Sequence, residues 1–338
     1  MTATIREVAQ RAGVGLGTVS RVLNDSPLVS AGTRARVQAT IAELDFRPNQ
    51  TARRLSLGKT LTIAAIVPFF TRPAFVERLR GVENTLVESE YDLILYNVET
   101  PERRDRCFRD VPRRERVDGV LIISLPPRLE DVEHLAKADV PVVLVDANHP
   151  ALTDLNRIIT DDVAGGRQAV EHLIGLGHRR IGFISDPLDT PFNFTSSRDR
   201  YQGYRQGLAA AGIPVQPEYH AQAEHGRRPA RRLAEQMLAL PERPTAIFAA
   251  SDTQALGVLE AARQAGCQVP KDLSVIGYDD IEVAEYAGLS TIRQQMYQSG
   301  QAGVELLLNV LAQPARPPEC RTMPTELVIR QSTGPAQA

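Results

Sequence analysis

Residues 4–24 read TIREVAQRAGVGLGTVSRVLN, and the spacing within them decides what the first part of the chain is. Ile5, Val8, Ala9 and Ala12 recur at helical spacing. Thr4 and Glu7 stand three apart just ahead of that stripe, as in a capping box, where each side chain satisfies the other residue's free backbone N–H. Gly13 supplies a turn, and Val14 can fill the space between two helices. A second stripe, Val19, Val22 and Leu23, leaves Leu16, Gly17, Ser20, Arg21 and Asn24 facing outward. Pro27 breaks the chain, and Ser30 is placed to cap a third helix carrying Val37, Ile41 and Leu44. Residues 1–47 are therefore expected to form an all-α helix-turn-helix headpiece.

Working outward, residues 48–60 are polar and basic, open after Arg47 with Pro48-Asn49 and close at Gly58. Asn49 can cap a short helix running to Leu57. Two turns of helix are marginal alone, because nucleation is costly, so this hinge should form only with outside support.

From Leu61 the pattern changes. Apolar runs at 62–67, 91–97, 117–123, 141–145, 181–184, 246–249 and 273–278 alternate with helical stretches at 75–90, 165–176, 198–211 and 253–265. Such alternation means βαβ units and parallel sheets covered on both faces. Over 61–338 it predicts an α/β core of two doubly wound parallel-sheet lobes. The first lobe is expected to hold about 61–160 and 293–322, the second about 161–292 and 323–332. Ligands of such sheets bind beyond the carboxyl ends of the strands, and paired lobes make a cleft there.

Composition narrows the function. Hydrophobic residues at 43% and charged residues at 24% are ordinary for a globular chain of 338 residues. Cys107, Cys267 and Cys320 are isolated, without CxxC or Cys/His spacing, which argues against a disulfide framework or zinc site. No apolar run approaches the ~20 residues of a membrane span, and no export signal is evident at the start. A cytoplasmic protein without cofactor or metal is expected. The net charge of -2 hides an asymmetry: residues 1–60 hold nine Lys+Arg against four Asp+Glu, and residues 61–338 hold 30 against 37. A basic end on an acidic body points to a polyanion met by that end.

These residues resemble the lac-repressor-like (LacI/GalR) transcription regulators along nearly the whole chain. The resemblance is carried by Thr4-Ile5-Arg6-Glu7-Val8-Ala9, Ala12-Gly13-Val14, Thr18-Val19-Ser20-Arg21-Val22-Leu23-Asn24 and Arg47-Pro48-Asn49. It continues in Gly165-Gly166-Arg167, Leu176-Gly177-His178, Ala250-Ser251-Asp252, Gly277-Tyr278-Asp279-Asp280 and the closing strand from Leu327. It implies a non-enzymatic repressor that binds a pseudo-palindromic duplex operator as a homodimer and answers to a small effector, a sugar or sugar phosphate, with a purine or nucleoside as the alternative. The tail beyond Ile329 has no apolar heptad, so a dimer is expected rather than a coiled-coil tetramer.

The second helix of a helix-turn-helix presents its N-terminal residues to base edges in the major groove. Here those are Leu16, Gly17 and Arg21. Arg21 can donate twice to guanine, worth about 1–3 kcal/mol of discrimination, and Leu16 offers apolar contact only. Thr4, Thr18, Ser20 and Asn24 are placed for phosphate or backbone contacts, which position without specifying. Gly15 stands where the family usually has a capping Ser. In the hinge the resemblance makes Leu55 a minor-groove wedge, with Asn49 and Ala52 supporting the helix and its approach and Arg53 reaching phosphate.

A sugar cleft needs carboxylates and amides for hydroxyls, an arginine fork and a flat apolar wall. Asp146, Asp252 and Asp279 follow apolar runs and so fall at strand ends, although Asp252 could instead cap the next helix. The resemblance places the ligand-gripping arginine at Arg198 and a further binding position at Gln294. Phe75, Phe192 and Phe194 could supply the wall. Thr71-Arg72-Pro73-Ala74-Phe75 departs from the family's usual Asn-Pro-Phe-Phe type of sequence. The rival readings are a solute-binding protein of the periplasmic sugar type and an enzyme on sugars or nucleosides. Neither accounts for residues 1–57, and no P-loop, GxSxG or HExxH motif is present.

Overall fold

The computed structural model describes residues 3–47, 54, 58–148 and 152–337. The chain divides into two units, Met1–Thr60 and Leu61–Ala338.

The first unit holds α1 (Ile5–Ala12), α2 (Leu16–Leu23) and α3 (Ala31–Glu43). Thr4 caps α1 through the expected box: its hydroxyl accepts from Glu7 N–H, and its own N–H donates to Glu7 Oε2 at 2.6 Å. Gly13 ends α1 at φ 65°, a left-handed conformation that glycine adopts without penalty. Ser30 caps α3 by accepting from Thr33 N–H. Gly15, at the N-cap of α2, supplies no side-chain cap. Val8, Ala9, Ala12, Val19, Val22, Val37 and Phe46 form one buried cluster, so both apolar stripes converge on a shared core. The hinge positions Asn49, Ala52, Arg53 and Leu55 lie outside the described residues.

The second unit contains two six-stranded sheets. The first is built from β1 (Thr62–Pro68), β2 (Asp92–Val98), β3 (Gly119–Ile123), β4 (Val142–Val145), β5 (Asn156–Thr160) and β11 (Cys320–Met323), in the order β11-β5-β4-β3-β1-β2. The second is built from β6 (Ile181–Ser185), β7 (His220–Gln222), β8 (Ala246–Ala249), β9 (Ser274–Asp279), β10 (Ser290–Arg293) and β12 (Glu326–Val328), in the order β12-β10-β9-β8-β6-β7. All pairings are parallel except β10 with β12. Both sheets repeat the 2-1-3-4-5 order of a doubly wound fold, which opens a crevice at the carboxyl ends of the strands where the winding reverses.

Helices cover both faces. In the first lobe these are α4 (Pro73–Leu86), α5 (Pro101–Asp110), α6 (Leu129–Ala136) and α12 (Met296–Ala312). In the second they are α7 (Asp162–Gly175), α8 (Ser196–Ala210), α9 (Arg227–Leu238), α10 (Asp252–Gln264) and the short α11 (Glu282–Tyr286). Two apolar clusters flank each sheet. The chain crosses between lobes after β5, after β10 and after β11. Arg293 closes β10 of the second sheet and Met323 closes β11 of the first.

Glycines let the site helices sink against their neighbours. A Cβ at Gly166 of α7 would strike the Arg200 backbone of α8, and one at Gly203 would strike that of Val163. This close approach brings α8, and Arg200 with it, to the edge of the crevice.

Candidate functional site

The outer face of α2 is open. Leu16, Gly17, Arg21 and Asn24 are exposed, and Thr18 and Ser20 are half-buried beside them. Leu16 is 46% exposed, while Val19 and Val22 of the same helix are buried and Leu23 is half-buried. Arg21 makes no hydrogen bond or ion pair among the described residues, so its fork is unoccupied. Thr4 is engaged in the capping box, though its side chain remains exposed.

The crevice between the lobes leaves about 100 Å³ open to water. Phe75 and Phe194 form apolar parts of its wall, and Asp146, Asp279 and Gln294 line it. Ser124, Asp146 and Asp279 end β3, β4 and β9 with φ of 50°, 56° and 115°. Non-glycine residues held at positive φ cost on the order of 1–3 kcal/mol each and gather at functional sites. Here that conformation turns the three side chains off their strands toward the crevice.

Two buried arginines organise the polar floor. Arg78, from α4, donates to Ser124 Oγ (3.0 Å), Ser299 Oγ (2.9 Å) and Gln294 Oε1 (3.0 Å) and pairs with Asp146 Oδ2 (3.0 Å). Arg200, from α8, donates to Asp162 Oδ1 (2.8 Å), the Ala250 carbonyl (2.6 Å) and Asp279 Oδ1 (3.4 Å), and lies over the Tyr278 ring at 3.7 Å. Gln294 donates from Nε2 to Asp279 Oδ1 (2.6 Å), so a continuous polar path crosses from one lobe to the other.

Burial raises the Asp279 carboxyl to about 6 against the pull of Arg200. Burial also raises Asp162 and lifts Asp199 to about 6. Burial works against the charge of Arg200, but Asp162 and Asp279 more than compensate, and its guanidinium stays charged. At the mouth, Arg72 stands over the Phe69 ring at 4.0 Å and faces Asp186. Asp186 in turn meets His225 Nδ1 (3.2 Å) and accepts from Gln254 Nε2 (2.9 Å). Among the described residues no cluster of His, Cys, Asp and Glu could hold a metal ion, and no helix is long and apolar enough to cross a membrane.

Residues 4–49 match the model of the bacterial regulatory proteins of the lacI family, and residues 170–333 match that of a periplasmic binding protein-like domain. The ribose operon repressor of Escherichia coli K12 is 36% identical over 314 residues, covering 92% of this chain and 94% of its own. The chain belongs to the lacI family of bacterial regulatory proteins. It is also similar, at 29% identity and a TM-score of 0.87 over 99% of its length and all of the other's, to the lac repressor dimer bound to operator and an anti-inducer. A ribose-bound lacI-family regulator from Enterococcus faecium matches at 28% identity and a TM-score of 0.71, over 82% of this chain and 100% of the other.

Within this lacI-family chain, the crevice brings together Phe75, Asp146, Phe194, Asp279 and Gln294 from the expected set, and three residues fall elsewhere. Arg198 does not point into the crevice: its side chain is 53% exposed and its nearest ion-pair partner is Asp199. Of Arg198 and Arg200 on α8, it is Arg200 that lines the cleft. Two residues on a helix turn through about 200°, so only one of this pair can face the cleft. Asp252 is fully buried as the first residue of α10, accepting from Ile281 N–H and Thr291 Oγ1, and it braces β9 and β10 rather than the cleft. The N-cap there is Ser251. Phe192 stacks behind Phe194 (5.2 Å), meets Phe69 edge-on (5.4 Å) and packs into the first lobe's apolar cluster. It ties the second lobe's 186–195 segment to the first, helped by Arg104, which donates to the Pro191 carbonyl.

Sequence reasoning missed Arg78, Asp162, Asp186 and His225. Asp161 caps α7, accepting from Ala164 N–H, while its neighbour Asp162 turns to Arg200. His178 is structural, buried against Thr245, Ser274 and the Gly334 carbonyl of the C-terminal tail.

Proposed function

We propose that this lacI-family regulator binds a two-fold related operator as a homodimer, as a repressor, and that an unphosphorylated monosaccharide in the inter-lobe cleft controls its hold on DNA. The carrying observation is the combination, in one chain, of an open α2 face bearing an unoccupied Arg21 and a cleft floored by carboxylates and amides. The relatives favour the same reading: one is named for the ribose operon, and one structure is a dimer on its operator. The reading places the chain in the cytoplasm beside the DNA, with no cofactor and no chemical step.

Charge favours the unphosphorylated ligand. The cleft lining carries five aspartates and three arginines. Two of the arginines are ion-paired, Arg78 with Asp146 and Arg200 with Asp162 and Asp279, while Arg72 stands over the Phe69 ring at the mouth and feels Asp186 only at longer range. A phosphate would enter a net-negative crevice in which only Arg72, at the mouth, is free of an ion pair among the described residues, at a cost that low local dielectric magnifies. Neutral hydroxyls, by contrast, can donate to the spare carboxylate lone pairs.

The hinge enters this proposal from the sequence alone. Leu55 wedges into the minor groove at the operator centre, with Asn49, Ala52 and Arg53 supporting it. The α2 residues Leu16, Gly17 and Arg21 read bases, while Thr4, Thr18, Ser20 and Asn24 hold register.

The test is selection of binding fragments from random duplex DNA by the full-length protein, alone and with a panel of unphosphorylated pentoses and hexoses and their phosphate esters. Enrichment of an inverted repeat, altered by a neutral sugar, is the expected result. No enriched sequence contradicts the operator reading, and a response confined to phosphate esters contradicts the effector reading.

A further inference from the structure

Arg78 belongs to α4, which packs so closely on α12 that a Cβ at Gly81 would strike the Tyr297 carbonyl and one at Gly300 the Arg78 carbonyl. That approach sinks the Arg78 side chain to 1% exposure at the cleft floor. Its guanidinium meets Ser299, Ser124, Asp146 and Gln294, and so spends itself within the protein.

The consequence lies in the Gln294 amide. Its two ends have nearly the same shape and opposite polarity. Arg78 Nη2 takes the oxygen end, so the nitrogen end must face Asp279 Oδ1. The reversed amide would set NH₂ against guanidinium and oxygen against carboxylate, losing both bonds within a buried site. Asp279 is left with lone pairs that face the crevice and can only accept. Asp146, bound on one oxygen by Arg78 and by the Ser124 hydroxyl (2.7 Å), is left in the same condition.

We propose that Arg78 is a positioning residue for effector recognition: by fixing which way round the Gln294 amide stands, it keeps Asp279 an acceptor and ties the hydroxyls read by the first lobe to those read by the second. This deepens the proposed function and rests on its reading of the cleft, but half of the test below needs no sugar.

Full-length protein and the variants Arg78→Met, Gln294→Met and the double variant are melted across pH 4.5 to 8. Asp279 is faced by Arg200, Asp162, Asp252, His225 and Gln294. Burial holds its carboxyl at about 6, above its unfolded value, so this group makes stability fall as pH rises between the two values. Without the amide donor the folded carboxyl holds its proton still more tightly, and the upper edge of that window moves to higher pH. The expected result is a similar upward displacement in each single variant and no further displacement in the double variant. A uniform loss at every pH, or displacements that add, overturns the proposal. Should the stranded Asp146 prevent Arg78→Met from folding, Arg78→Met/Asp146→Asn removes that charge and gives the same pH comparison. In parallel, whichever unphosphorylated pentose or hexose of the panel raises the melting temperature should bind Arg78→Met about tenfold or more weakly. Unchanged affinity overturns the proposal. If no sugar of the panel stabilises even the unaltered protein, the effector reading fails, while the pH comparison still decides the role of Arg78.

Discussion

The Nε of Arg200 lies 2.8 Å from Oδ1 of Asp162, and both side chains are 7% exposed. The same guanidinium also pairs with Asp279 at 3.4 Å, so one buried cation is shared between two buried acids. Removing it strands both. Arg200→Met should cost about 3–5 kcal/mol near neutral pH, the usual penalty for breaking a buried pair. The loss should shrink in acid. Burial already raises both carboxyls above their unfolded values, and without Arg200 they rise further, so the folded variant takes up protons that its unfolded chain does not. Urea unfolding of wild type and variant at pH 7.5 and 5.5 measures this, and an equal loss at both values contradicts it.

Arg21 offers a separate test at the other unit. Its fork is the strongest donor on the α2 face, beside Leu16 and Gly17, which have nothing to donate from their side chains. Arg21→Ala should weaken the selected operator by about 1–3 kcal/mol and relax preference at one base pair per half-site. Binding titrations against operators varied one pair at a time check it. A uniform loss over every sequence would instead make Arg21 a phosphate contact.

The headpiece should be sensitive to its first cap. Thr4 and Glu7 satisfy two backbone donors at the start of α1, while α2 begins at Gly15 with no side-chain cap. Thr4→Ala should cost the headpiece about 1 kcal/mol and leave the melting of the two-lobed unit unchanged. Hydrogen exchange on α1 and α2 amides, with calorimetry of the whole chain, separates the two units. Unaltered exchange in α1 would show the box to be idle.

Legibility in the sequence followed period and redundancy. The headpiece was readable because Val8, Ala12, Val19, Val22 and Val37 repeat at helical spacing between unmistakable caps and turns. The central strands β1, β3, β4, β6, β8 and β9 were readable as unbroken apolar runs, which strands buried on both faces must be. The run at 91–97 also marked β2, although it lies at a sheet edge, whereas the short β5, β7, β10 and β11 were not read. β7 and β11 are half-exposed and carry no such run, and α5, with Arg103, Arg104, Arg106 and Arg109 in ten residues, shows no apolar stripe, although Arg104 is wholly buried. In the cleft, acids at strand ends announced themselves, whereas a helical arginine could not. Arg198 and Arg200 are equivalent as letters, and only the rotation of α8 fixed by Gly203 against Val163 decides between them. Arg78 gave no signal because its partners Ser124, Asp146, Gln294 and Ser299 lie far from it in sequence.

The central claim is that cleft and operator sites answer to each other, and reciprocity tests it most directly. Operator affinity should be measured with and without a saturating neutral sugar from the panel, and sugar affinity with and without operator. The account predicts the same factor in both directions, roughly 5–150-fold, because linkage between two sites is symmetric in free energy. A sugar that binds the cleft yet leaves operator affinity unchanged would contradict it.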